Sequence, residues 1–173
     1  MAMADTLQGT IELEWAINLI RAQSVGGVTG KDELRITKEP ELTDGTGTNQ
    51  ATGWFSTGID VTTGATTISL ADSADPTGAL GDDVPTSDPE GLKLRAICLI
   101  NTDDTNYVTV GLGANALTSW LAGTGPTVRI PAGGFLCATF PAGLDTMNDG
   151  ADDEITLQAD TATCRVELAY LFG

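Results

Sequence analysis

The 173-residue sequence predicts an all-β protein, an antiparallel β-sandwich or jelly roll of about eight strands with long acidic loops. Three observations carry this. Apolar residues alternate with polar ones, or run together in short blocks, as strands require. Clusters of Gly, Pro, Asn, Asp and Thr separate the blocks. The C-terminal run CRVELAYLFG places Val166, Leu168, Tyr170 and Phe172 on one face of a closing strand.

The organising stretch is 91–113, GLKLRAICLINTDDTNYVTVGLG. Leu92, Leu94, Ala96, Cys98 and Ile100 fall on one face of its first strand. Ile97 and Leu99 make the middle apolar on the other face too, which predicts a central, covered strand. Asn101 to Asn106 are turn formers that hydrogen-bond their own backbone. The β-rich segment 107–110 then returns, so the stretch reads as a central hairpin.

The remaining elements follow in order. Ile11, Leu13, Trp15, Ile17 and Leu19 alternate with polar residues, which favours a strand over 10–23. Leu13, Ile17 and Ile20 also lie at helical spacing, so helix is the competitor. Segments 24–52 and 71–90 are rich in Gly, Thr, Asp and Pro and read as extended loops or arms of a single domain spanning 1–173. Residues 54–61 and 65–70 form a second expected hairpin about Thr62-Thr63-Gly64. Residues 114–126 suggest one helical turn with Trp120 inward. Strands are expected at 127–130 and 135–140, across Pro131-Ala132-Gly133-Gly134. A last hairpin spans 154–159 and 165–172.

Acidic side chains number 24 against 8 Lys and Arg, giving a net charge of −16, and histidine is absent. A surplus of carboxylate disfavours nucleic acid and anionic membranes as partners. It favours a basic protein surface or a divalent cation. The first residues lack the basic and apolar regions of a signal peptide, which predicts cytoplasmic synthesis. Cys98, Cys137 and Cys164 are odd in number and far apart. This spacing predicts buried free thiols in a reducing compartment and neither a disulfide framework nor a zinc site.

Candidate chemistry is sparse. Asp145, Asn148, Asp149, Asp152 and Asp153 surround Gly150 and offer the oxygen ligands a calcium ion takes, although Met147 breaks the EF-hand pattern. The competing reading is a solvated acidic turn. Asp72, Asp75, Asp82, Asp83 and Asp88 make a second oxygen-rich loop. Without histidine, a Ser or Cys nucleophile lacks its usual base, and no Gly-x-Ser-x-Gly elbow occurs. The carboxylates have no aromatic surroundings for stacking a sugar, so a glycosidase is disfavoured. The expectation is a non-enzyme with no cofactor, calcium being the one cation its loops could take.

Three segments, NTDDTNYVTVGLG, VRIPAGGFLCATF and EITLQADTATCRVELAYLFG, together resemble small β-sandwich structural proteins of tailed-bacteriophage virions. The likeness covers the C-terminal half. It implies a capsid decoration or cement protein, or else a tail, fibre-base or head-to-tail component, and it carries no catalytic residues. On this reading the protein is synthesised in the host cytoplasm and resides in the virion. It contacts itself, as a trimer or ring, and other virion proteins such as the major capsid protein. Lys31 to Thr52 and Ala71 to Glu90 are the expected contact arms, with Trp54, Phe55, Asp75, Asp82, Asp83 and Asp88 as contact residues. Trp54 fits the core equally well. A carbohydrate- or calcium-binding β-sandwich module is the alternative from another class.

Overall fold

The computed structural model describes residues 9–10, 13–21, 30–38, 41–72, 85, 87–117, 119–121, 127–148 and 150–173. Its residues divide into two compact units, Gln8–Leu42 and a larger one containing Thr43–Gly173.

The smaller unit contains β1 (Gly9–Thr10), β2 (Leu13–Arg21), β3 (Gly30–Lys38) and the first half of β4 (Glu41–Asp44). Strand wins over helix for 10–23: β2 pairs antiparallel with β3, Trp15 opposite Ile36 and Ile17 opposite Leu34. Within the segment 24–52, the short alternation through Leu34 and Ile36 lies on β3, which supplies the ladder partner. Gly9 and Thr10 pair with Leu42 and Glu41.

The larger unit begins where Thr43 and Asp44 pair in parallel with β5 (Gln50–Ala51). It continues through β6 (Gly53–Val61), β7 (Thr66–Ser69), β8 (Leu94–Asn101), β9 (Val108–Leu112), β10 (Val128–Ile130), β11 (Phe135–Thr139), β12 (Glu154–Ala159) and β13 (Cys164–Phe172). These last eight strands form two antiparallel four-stranded sheets, ordered β10-β9-β12-β7 and β11-β8-β13-β6. Written side by side, the two orders set each strand across from its neighbour in sequence. That arrangement is the eight-stranded jelly roll.

The expected hairpins are all corrected by this topology. Strands β8 and β9 lie in different sheets, as do β6 and β7, and β12 and β13. The reason is that a strand has two edges. Both edges of β8 are taken by β11 and β13, and both edges of β12 by β7 and β9. Each polar turn therefore becomes an arch between sheets.

The apolar blocks meet in one core. Ile59, Val61, Leu94, Leu99, Val166 and Phe172 from one sheet pack with Ile68, Val108, Val110, Ile130, Ile155 and Leu157 from the other. On β13 the alternation is complete, with Cys164, Val166, Leu168, Tyr170 and Phe172 buried and the residues between them at or near the surface. Phe55, Tyr170 and Phe172 stack along the inner face with ring centroids 5.4 and 5.8 Å apart. Such aromatic pairs add about 0.5–1.5 kcal/mol beyond their buried area. The loop around Trp120 closes with a Trp120 N–H to Leu117 carbonyl bond of 3.3 Å, and no helix is present among the described residues. Leu117 is fully buried and Trp120 packs partly against the core.

Two buried polar side chains hold the ends of the sandwich. Asn101 closes β8, and its amide donates to the carbonyls of Asn106 (2.8 Å) and Pro131 (3.1 Å) while its oxygen accepts from Asp103 N–H. It thus ties the β8–β9 arch to the β10–β11 arch, where a turn from Pro131 to Gly134 uses the positive φ of Gly133 (64°). Arg95, 2 % exposed, donates to the carbonyls of Gly173 (2.8 Å), Pro141 (3.2 Å) and Thr46 (2.6 Å). It sits where the β13–β8 register shifts, and burial lowers the pKa of its guanidinium.

Candidate interaction face and edge

The described side chains of the acidic loops take separate hydrogen-bond partners. Asp145 accepts from the backbone and hydroxyl of Ser119. Asp153 is fully buried and accepts from the Ser69 hydroxyl of β7. Asn148 donates to the Thr146 carbonyl at 3.1 Å, Asp152 is exposed, and Asp149 lies outside the described residues. Among the described residues no group of three or more His, Cys, Asp or Glu side chains could hold a metal ion. An open depression of about 370 Å3 lies beside Asp145, lined by Lys93, Ser119, Gly143, Leu144 and Thr146. Of the second acidic loop, Asp75, Asp82 and Asp83 lie outside the described residues. Asp88 is exposed and accepts from Glu90 N–H at 3.1 Å within its own turn.

The two aromatic contact candidates separate. Phe55 is 2 % exposed and belongs to the core against Tyr170, so it offers no contact surface. Trp54, the next residue along a pleated strand, points to the opposite face and is 43 % exposed.

The face that carries Trp54 is the outer surface of the β11-β8-β13-β6 sheet. Cross-strand register arranges it in rows. One row runs Phe135, Ile100, Glu167, Gly58; the next Cys137, Cys98, Ala169, Ser56; the third Thr139, Ala96, Leu171, Trp54. Phe135 is 57 % and Ile100 43 % exposed, and they are direct partners. Among the described residues the charged side chains of this face gather on its β13–β6 side, where Arg165 meets Asp60 at 3.0 Å and Glu167, the cross-strand partner of Ile100, at 3.5 Å. The surface is thus largely apolar or uncharged on a chain of net charge −16.

In the second row of this face, on its β11–β8 side, Cys98 and Cys137 are joined by a disulfide, with their Cα atoms 4.1 Å apart. The expectation of three free thiols is therefore corrected. The two residues are 39 apart in sequence but directly opposed in the β11–β8 ladder, and spacing along a chain carries no record of register. Only Cys164 is a free thiol; it is buried, and burial raises its pKa.

Phe135 and Leu171 were not singled out in the sequence, and Ile100 was read as a strand residue without a contact role. A signal for them exists: residues 130–144, which contain β11, carry no charged side chain in an otherwise acidic chain. Together, fold and face define a jelly-roll β-sandwich with an uncovered apolar sheet surface. No family model and no curated protein sequence matches the chain.

Proposed function

We propose that this protein is a non-enzymatic structural component of a tailed-bacteriophage virion, a capsid decoration or cement protein acting by oligomeric protein–protein contact. The observation that carries the contact role is the outer sheet face, where Phe135, Ile100 and Trp54 stand 57, 43 and 43 % exposed. Large apolar side chains gathered on one face mark a surface that another protein covers. The virion setting rests on the resemblance of the C-terminal half. The acidic remainder of the chain complements a basic partner surface. The same contacts would serve a tail or head-to-tail component.

The test is co-sedimentation with particles that lack the protein, combined with light-scattering mass measurement with and without a chelator. The expected result is an oligomer insensitive to chelator that binds particles, with binding weakened by Trp54→Asp. A chelator-sensitive mass would favour the calcium-binding alternative. A monomer that binds no particle would overturn the proposal.

A further inference from the structure

Among the described residues, strand β11 is the edge of its sheet, and β8 is its only ladder partner. The direction of its free backbone groups follows from the register. The Cα atoms of Cys98 and Cys137 are 4.1 Å apart, the spacing of a pair that exchanges no backbone hydrogen bonds. By alternation, Phe135 opposite Ile100 and Thr139 opposite Ala96 are of the same kind. The flanking bonds agree: Phe140 N–H donates to Arg95 O (2.7 Å) and Asn101 N–H to Gly134 O (2.9 Å), so the even-numbered residues face β8. The N–H and C=O groups of Phe135, Cys137 and Thr139 therefore point away from the sheet.

An edge of this kind is ordinarily guarded by a lysine, a proline or an inward charge. Here the strand reads FLCAT, and no charged side chain occurs anywhere in 130–144. Exposed Phe135 and Ile100 adjoin the edge on the outer face. The nearest guards, Pro131 and Pro141, flank the strand and leave its interior open.

We propose that the β11 edge is a self-recognition site, where a second copy of this chain adds its own β11 antiparallel across a two-fold axis at Cys137. The argument for a second copy is self-complementarity: the outward N–H and C=O groups of Phe135, Cys137 and Thr139 match those of their own antiparallel copy, and an uncharged edge is where two acidic chains can meet. Two bodies of net charge −16 repel, and they approach at lowest cost where neither carries a charge. A basic partner would be drawn instead to the acidic surfaces. The pairing is isologous: Cys137 faces its counterpart, and Phe135 faces Thr139 of the other copy, each pair exchanging both backbone bonds. The two four-stranded sheets become one continuous sheet, and Phe135 of each copy is covered at the junction. The inference rests on the contact role proposed above and names one of its contacts.

The test uses the full chain with Cys98→Ala, which leaves Cys137 as a free thiol on the axis. Opposed Cα atoms in such a pair lie about 5.5 Å apart, within disulfide reach. With oxidised glutathione, two Cys137 thiols and one glutathione disulfide yield one intermolecular disulfide and two glutathione thiols. The expected product is a non-reducing band at twice the 17.8 kDa chain mass, absent in the Cys98→Ala, Cys137→Ala control. Independently, Phe135→Lys and Thr139→Pro in the disulfide-intact protein should each lower the association constant at least tenfold. Both sit on the exposed or unbonded side of an edge strand, where the fold tolerates them. Circular dichroism verifies folding. No cross-link, or an association unchanged by both edge variants, overturns the self-recognition site. Particle binding by these same variants is scored separately. Binding that persists while self-association is lost keeps the contact role, and particle binding lost only with Trp54→Asp assigns the particle contact to the outer face.

Discussion

The buried phenol of Tyr170 donates a 3.1 Å hydrogen bond to the carbonyl oxygen of Leu70, joining the last strand of one sheet to the end of β7 in the other. Burial raises the Tyr170 pKa well above that of a free phenol. Tyr170→Phe keeps the ring between Phe55 and Phe172 and leaves the Leu70 carbonyl without this donor. We expect a loss of about 1–2 kcal/mol, read by denaturant titration.

The same group sets an alkaline limit. The folded state holds the phenol proton to higher pH than the unfolded state does. The associated stability is intact below the unfolded pKa of about 10 and is lost as pH rises beyond it. Thermal melts at pH 8 and pH 10.5 should differ more for the parent protein than for Tyr170→Phe.

At the acid end, Asp103 accepts backbone N–H bonds from Asn106 (2.6 Å) and Thr105 (2.8 Å), which lower its pKa. The contribution is present above the unfolded carboxylate pKa and disappears as pH falls through the lowered folded value. Asp103→Asn should therefore flatten the acid limb of the stability profile, measured by melting between pH 5 and pH 2.

Ile97 lies 2 % exposed in the middle of β8, between Ala138 and Tyr170 on the neighbouring strands. Ile97→Asp places an unpaired carboxylate in that core. The expected cost exceeds about 4 kcal/mol, enough to leave the chain without a cooperative melting transition.

Reducing the Cys98–Cys137 bridge opens a link between residues 39 apart. The chain-entropy relation assigns such a loop about 4 kcal/mol. For a domain of this size the melting temperature should fall by about 10 °C in reducing agent. The Cys98→Ala, Cys137→Ala variant should show no difference between oxidising and reducing buffer.

The strands themselves were legible in the sequence. Alternation at Cys164–Phe172 and the two-sided apolar middle of Leu94–Asn101 mark strand and face directly, because a pleated backbone has a period of two whatever it pairs with. The turn chemistry of Asn101 to Asn106 and of Pro131 to Gly134 was likewise readable. Pairing was not. A polar turn between two apolar blocks looks the same whether it closes a hairpin or arches between sheets, and the choice depends on which distant strand occupies each edge. Here β13 lies between β6 and β8, and that placement turned the expected hairpins into arches. The same non-local register brought Cys98 to Cys137, sent Trp54 outward and Phe55 inward, and set Ile100 beside Phe135. Local sequence determines which residues can share a face. Only the tertiary fold decided which faces were covered, because every strand has two edges and its neighbours in sequence do not always win them.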